Sequence, residues 1–158
     1  MTSTAIANLS SAQVQALTSG GIQAIATGVL NAIGSTTMQE LSTGQIQQLT
    51  TTQVSALTSL ALGNMSSSQV QALSSGHVQS ITTGVLNAIG STTMQELSTS
   101  QIKQLTTSQV GALTSTALGN MSSGQVQALT SSSVQAITTG VLNAIGSTTM
   151  QELSTTEV

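Results

Sequence analysis

Residues 10–17 read SSAQVQAL, and Thr18 opens another stretch of the same kind. With Ser10 at a helix N-cap, Gln13 falls at N3 and completes the Ser-x-x-Gln capping box. Leu9 and Val14 then occupy N′ and N4, the two positions of a hydrophobic staple. Val14 and Leu17, three residues apart, share one helical face, with Ala16 as small filler between them. Leu17 in turn stands at N′ of the following unit, which Thr18 caps. Eight residues therefore carry a helix start, a short apolar face and the start of the next helix.

The octad continues along the whole chain. One aliphatic column runs Leu9, Leu17, Ile25, Ile33 and onward to Leu153; a second runs Ile6, Val14, Ile22, Leu30 and onward to Val158. All 19 positions of the first and all 20 of the second are Leu, Ile, Val or Met, so no insertion breaks the register. The cap column is Ser or Thr at 16 of 20 positions. Gly34, Gly90 and Gly146 are tolerable caps, which leaves Ala26 as the poor one. N3 is Gln or Glu at 8 of 20 positions, so the box reads as frequent but optional.

One continuous helix fails on geometry. Eight residues at about 100° each advance about 800°, so the apolar stripe would drift about 80° per repeat and circle the helix. Seven- or eleven-residue repeats hold a face; eight does not. Bending at every cap resolves the conflict, and the expected fold is an all-α solenoid of very short capped helices, one per octad. Helices shorter than about 12 residues are marginal alone in water, so neighbouring octads must bury one another. A β-solenoid is the alternative, since Ser and Thr suit turns and one octad could form one strand. Against it, anchors three apart point to opposite faces of a strand, and Gln and Ala are modest strand formers.

A longer period lies over the octad. TGVLNAIGSTTMQELST at positions 27–43 recurs unchanged at 83–99 and 139–155, a spacing of seven octads. The chain thus reads as a single solenoid, 1–158, with super-repeats at approximately 2–57, 58–113 and 114–158. Seven octads could complete whole turns of a superhelix, or could record a gene duplication.

Composition narrows the function classes. Charged residues are 3%, against about 25% in typical soluble domains. A net charge of −3 with a single Lys leaves no electrostatic footprint for nucleic acid or anionic lipid. No window reaches the roughly 18 apolar residues of a membrane span. There is no Cys, which excludes disulfides and thiolate metal sites. The Met-Thr-Ser-Thr start lacks the basic and apolar regions of a signal peptide, and repeats that begin directly after Met1 fit an excised or designed segment. The terminal octads match the internal ones and carry no polar cap, which solenoids usually need for solubility; this points to end-to-end self-association.

Units such as SSAQVQAL (10–17), TTTQVSAL (50–57) and TTSQVGAL (106–113) resemble the octapeptide (S/T)xxQ(V/I)xAL runs of large bacterial secreted or surface proteins of adhesin type. The resemblance covers the whole chain. It implies a spacer or filament-forming segment, an extracellular or cell-surface setting, and no catalytic motif. The opening of each unit also resembles the first helix of a TAL-effector repeat. The second helix, the base-reading loop and the basic charge are missing here, so DNA recognition does not carry over.

Individual residues add no chemistry. His77 is the single His; a metal or acid–base role needs partners that the sequence lacks, so it reads as a surface substitution at a permissive N3 position. Lys103 stands where Gln47 stands one long repeat earlier, and reads as drift. Glu40, Glu96 and Glu152 recur with the seven-octad period and read as solvated charges, unless the superhelix gathers them into a cation site. Asn8, Asn64 and Asn120 each begin a glycosylation sequon, but also stand just before a cap, where Asn suits a bend. Gly28, Gly84 and Gly140 match no phosphate loop, and positions 31–34 (NAIG) with their copies read as a bend with a Gly cap. The expectation is therefore no catalytic, cofactor or metal residues, no cofactor, no small-molecule substrate, and no enzyme. One feature stays ambiguous: runs such as Thr50-Thr51-Thr52 and Ser66-Ser67-Ser68 carry hydroxyls beyond the one a cap needs. A flat, charge-free hydroxyl array could bind ice or carbohydrate.

Overall fold

A computed structural model describes residues 2–154, and its contacts group the chain into two units, Met1–Ile81 and Thr82–Val158. Among the described residues there are nineteen helices and no strand, so the all-α solenoid is the fold and the β-solenoid is excluded. The first unit holds α1 (Ser3–Ala7), α2 (Ser11–Gln15), α3 (Ser19–Gln23), α4 (Thr27–Ala32) and α5 (Ser35–Glu40), followed by α6 (Thr43–Gln47), α7 (Thr51–Ser55), α8 (Ser59–Gly63), α9 (Ser67–Gln71) and α10 (Ser75–Ser80). The second holds α11 (Thr83–Ala88), α12 (Ser91–Glu96), α13 (Thr99–Ile102), α14 (Thr107–Gly111) and α15 (Ser115–Gly119), followed by α16 (Ser123–Val126), α17 (Ser131–Gln135), α18 (Thr139–Ala144) and α19 (Ser147–Ser154).

Each helix starts where the cap column falls. Ser10 has extended backbone (φ −70°, ψ 158°), and its side chain accepts from the Gln13 N–H at 3.3 Å while Gln13 Oε1 accepts from the Ser10 N–H at 2.9 Å. The extended cap residue is what stops the previous helix from running on. No described residue has positive φ, so no helix here ends through a left-handed glycine. Instead most N′ residues close the last turn with a tight i→i−3 bond, as Leu17 N–H donates to Val14 O at 3.1 Å and Leu57 N–H to Val54 O at 3.1 Å, while Ile33, Ile89 and Ile145 keep i→i−4 bonds to Val29, Val85 and Val141. Ala26, Gly34 and Gly90 make no side-chain cap bond.

Both aliphatic columns form the core. Every N4 residue from Ile6 to Val134 is buried, and every N′ residue from Ile25 to Ile137 is buried with it. Coil stacking follows a fixed interval within each unit. In the first, α1 packs on α4, α4 on α8, α2 on α5, α6 on α9 and α7 on α10; in the second, α11 and α12 pack on α15, α13 on α16, α14 on α17 and α15 on α18. A helix therefore meets the third or fourth helix further along. Side-chain bonds between coils span 25 to 31 residues, centred on 28, which is three and a half octads. Each octad consequently sits over the junction between two octads of the neighbouring coil, and seven octads make two coils.

Candidate functional site

The most organised polar feature is the N3 column. Gln45, Gln53, Gln69, Gln101, Gln109 and Gln125 are 2–7% exposed, although Gln is usually a surface residue. The amide oxygen of each takes the N-cap N–H of its own helix: Gln69 Oε1 accepts from Ser66 N–H at 2.9 Å and Gln125 Oε1 from Ser122 N–H at 2.9 Å. The amide nitrogen reaches the neighbouring coil. Gln45 Nε2 donates to Val14 O at 2.8 Å and Leu17 O at 3.1 Å, and Gln53 Nε2 to Ile22 O at 3.0 Å and Ile25 O at 2.8 Å. Gln69 Nε2 does the same with Met38 O and Leu41 O (2.8 and 2.6 Å), and Gln125 Nε2 with Met94 O and Leu97 O (2.7 and 2.6 Å). One side chain thereby satisfies a helix-start donor and the N′ carbonyl that ends the helix of the neighbouring coil, and adds a second bond to an N4 carbonyl that already accepts from the N′ N–H. Among the described residues no buried side-chain polar atom lacks a partner.

His77 belongs to this column, and its reading as a surface substitution is corrected. It is 5% exposed. Its Nδ1 accepts from Ser74 N–H at 3.4 Å and its Nε2 lies 2.8 Å from Leu49 O. A backbone N–H can only donate and a carbonyl can only accept, which fixes the neutral tautomer with the proton on Nε2. That tautomer reproduces the acceptor and donor of Gln. The capping box is frequent but optional, as its spacing in the sequence suggests: with Ala61, Ala117 or Ser133 at a buried N3 position the helix still forms on the N-cap side-chain bond alone. Gln13 shows the converse. It keeps its capping box but is exposed, with no coil beneath it among the described residues. Glu157, the acidic N3 residue, lies outside the described residues.

A second set of amides points the other way. Asn31 Nδ2 donates to Ala56 O at 2.8 Å, and Asn31 Oδ1 accepts from Thr58 N–H at 2.9 Å; Asn87 repeats both bonds with Ala112 and Thr114 at 2.9 Å each. Gln39 and Gln95 donate to Asn64 O and Asn120 O at 3.2 Å each. The sequon residues Asn64 and Asn120 are C-caps whose Nδ2 groups donate to Ile33 O and Ile89 O at 3.2 and 3.3 Å; Asn8 is likewise a C-cap. The segment at 31–34 thus contributes an inter-coil clamp as well as a bend.

The remaining candidates form no metal-binding group among the described residues. Glu40 is half-buried and its Oε1 accepts from Ser11 Oγ at 2.9 Å. Glu96 and Glu152 lie in the second unit, Lys103 is the C-cap of α13, and no group of three or more His, Cys, Asp or Glu able to hold a metal occurs among the described residues. No helix among them is long and apolar enough to cross a membrane. A Cβ placed at Gly28, Gly140 or Gly146 would meet nothing within 4 Å, so space does not require glycine there.

The hydroxyls are more regular than capping requires. All nineteen described helices begin with Ser or Thr at N1, and none of these residues is buried. N1 of one coil adjoins N2 of the next: a Cβ at Gly76 would lie 3.8 Å from Thr51 Cγ2, and one at Gly124 would lie 3.8 Å from Thr99 Cγ2. Compared with known proteins, the chain matches no family model, no curated sequence and no solved structure.

Proposed function

We propose that the chain is a non-enzymatic structural repeat, a spacer or a self-assembling filament segment, in an extracellular or cell-surface protein of the adhesin-like kind its octads resemble. The observation that carries this reading is the use of the amides. Gln45, Gln53, Gln69, His77 and Gln125 direct their polar atoms into coil stacking, and the outer face is left with exposed, uncharged hydroxyls. Repeat arrays of this kind gain stability from nearest-neighbour interfaces and present length as their product. Negative-stain electron microscopy of the purified chain over a concentration series, with circular dichroism alongside, tests it. Uniform rods or fibres with strong helical dichroism are expected; featureless globular particles would overturn the reading.

A second reading rests on the N1 row. Ser or Thr at every described N1 position, with none buried, exceeds what the caps need. That row would make the chain a Ser/Thr-face binding module for ice or carbohydrate. Thermal hysteresis at micromolar protein separates the two, because a plain spacer produces none.

A further inference from the structure

Three copies of one sequence, at positions 27–43, 83–99 and 139–155, are identical yet differ in burial. Met38 and Met94 are 0% exposed, while Met150 is 38% exposed. Leu30, Ile33, Leu86 and Ile89 are buried, while Leu142 and Ile145 are only half-buried. Sequence cannot be the cause. The difference lies in what covers them.

The first two copies are covered by the same kind of segment in the same register. Residues 58–73 cover the first: α8 packs on α4, Asn64 Nδ2 donates to Ile33 O, and Gln69 Nε2 donates to Met38 O and Leu41 O. Residues 114–129 cover the second: α15 packs on α11 and α12, Asn120 Nδ2 donates to Ile89 O, and Gln125 Nε2 donates to Met94 O and Leu97 O. The third copy has no such cover among the described residues. A third segment of that kind exists, however. Residues 2–17 (TSTAIANLSSAQVQAL) match 114–129 (TSTALGNMSSGQVQAL) at 12 of 16 positions, with Asn8 and Gln13 standing where Asn120 and Gln125 stand. In the structure this segment is itself unused on its N3 side: Gln13 is exposed and Leu9 and Leu17 are only half-buried.

We propose that residues 2–17 of a second copy of this chain dock on residues 139–154, continuing the inter-coil interface from one molecule to the next. Asn8 Nδ2 of the incoming copy then donates to Ile145 O, Gln13 Nε2 donates to Met150 O and Leu153 O, and α1 and α2 cover Leu142 and Met150. The contact is head-to-tail, using two different surfaces, so it propagates into open assemblies unless the rotation closes a ring. This proposal rests on the structural reading above and names the partner for its self-assembling form.

Sedimentation velocity of the intact chain from micromolar to millimolar concentration tests it, with Gln13→Arg and Met150→Arg each blocking one surface. Both positions are exposed, so helical dichroism should be retained. The wild-type chain is expected to sediment faster as concentration rises, and each variant alone to keep its low-concentration value. An equimolar mixture of the two variants retains one intact surface of each kind, so it is expected to reach the dimer and go no further. If an Arg variant loses its helical dichroism, the milder Gln13→Ala and Met150→Gln replace it, each expected to weaken association several-fold. A wild-type chain monomeric at every concentration overturns the proposal, as does association that neither surface variant weakens or a mixture of variants that stays monomeric. A helical, monomeric rod would remove the docking alone and leave the spacer reading standing.

Discussion

At the scale of single residues, the N3 amide ties two coils together by hydrogen bonds where it is present, while α8, α15 and α17 pack with Ala or Ser at N3. Gln69 connects Ser66 N–H with Met38 O and Leu41 O, so truncating it strands buried groups on both sides. Gln69→Ala is therefore expected to cost about 1–3 kcal/mol in denaturant unfolding. Gln13→Ala removes an exposed side chain and is expected to cost about 0.5 kcal/mol or less. The contrast between one residue type in two settings is the informative quantity. His77 extends the same logic: His77→Gln should leave stability within about 0.5 kcal/mol, whereas His77→Ala should lose about 1–3 kcal/mol by the same unfolding measurement. This role was only half legible in the sequence. The Ser-x-x-Gln spacing reveals the local acceptor, because its partner lies within the same octad. The donor's partners, Met38 O and Leu41 O for Gln69, lie in another coil, and no local rule points to them. One signal was available: the N3 column carries Gln repeatedly and no Glu from Ala5 to Thr149, although a capping box accepts either. A carboxylate would satisfy the cap but could not donate to the next coil.

At the scale of the helix, most elements are five or six residues long, held by the cap, the N3 partner and the tight closing turn. All of that follows from the octad. Ala26 offers the clearest check. It opens the same TGVLNA helix that Thr82 and Thr138 open elsewhere, yet it makes no cap bond, whereas Thr82 and Thr138 accept from Val85 and Val141 N–H at 3.4 Å each. Ala26→Thr is expected to stabilise the chain by about 1 kcal/mol, read as a raised denaturation midpoint with unchanged slope. The helix positions, the caps and the two aliphatic columns were legible because each depends on neighbours within one octad. The sequence also ruled against a strand, through anchors spaced like Val14 and Leu17, and the helices place those two as that spacing requires.

At the scale of the molecule, the governing quantity is a coil of three and a half octads, and no single octad encodes it. Three and a half is not a whole number of repeats, so the smallest segment that restores both octad register and coil position is seven octads. That matches the spacing of the three identical segments. Deleting residues 42–97 removes seven octads and rejoins Leu41 to Ser98, so the product should keep its helical dichroism and unfold cooperatively. Deleting residues 42–69 removes the length of one coil but rejoins Leu41 to Val70, which destroys an octad; its product should unfold at markedly lower denaturant. The coil interval itself has a direct test in the apposition of Thr51 with Gly76 in the first unit and of Thr99 with Gly124 in the second. The chain has no Cys, so the double variants Thr51→Cys/Gly76→Cys and Thr99→Cys/Gly124→Cys each carry a single possible intramolecular disulfide. Mild oxidation at low protein concentration, followed by intact mass and non-reducing gel mobility, is expected to close both bridges nearly completely, while the control Thr43→Cys/Gly76→Cys, displaced by one octad within the first unit, stays reduced. Failure of the two apposed pairs to close, or closure of the control to the same extent, would contradict the coil.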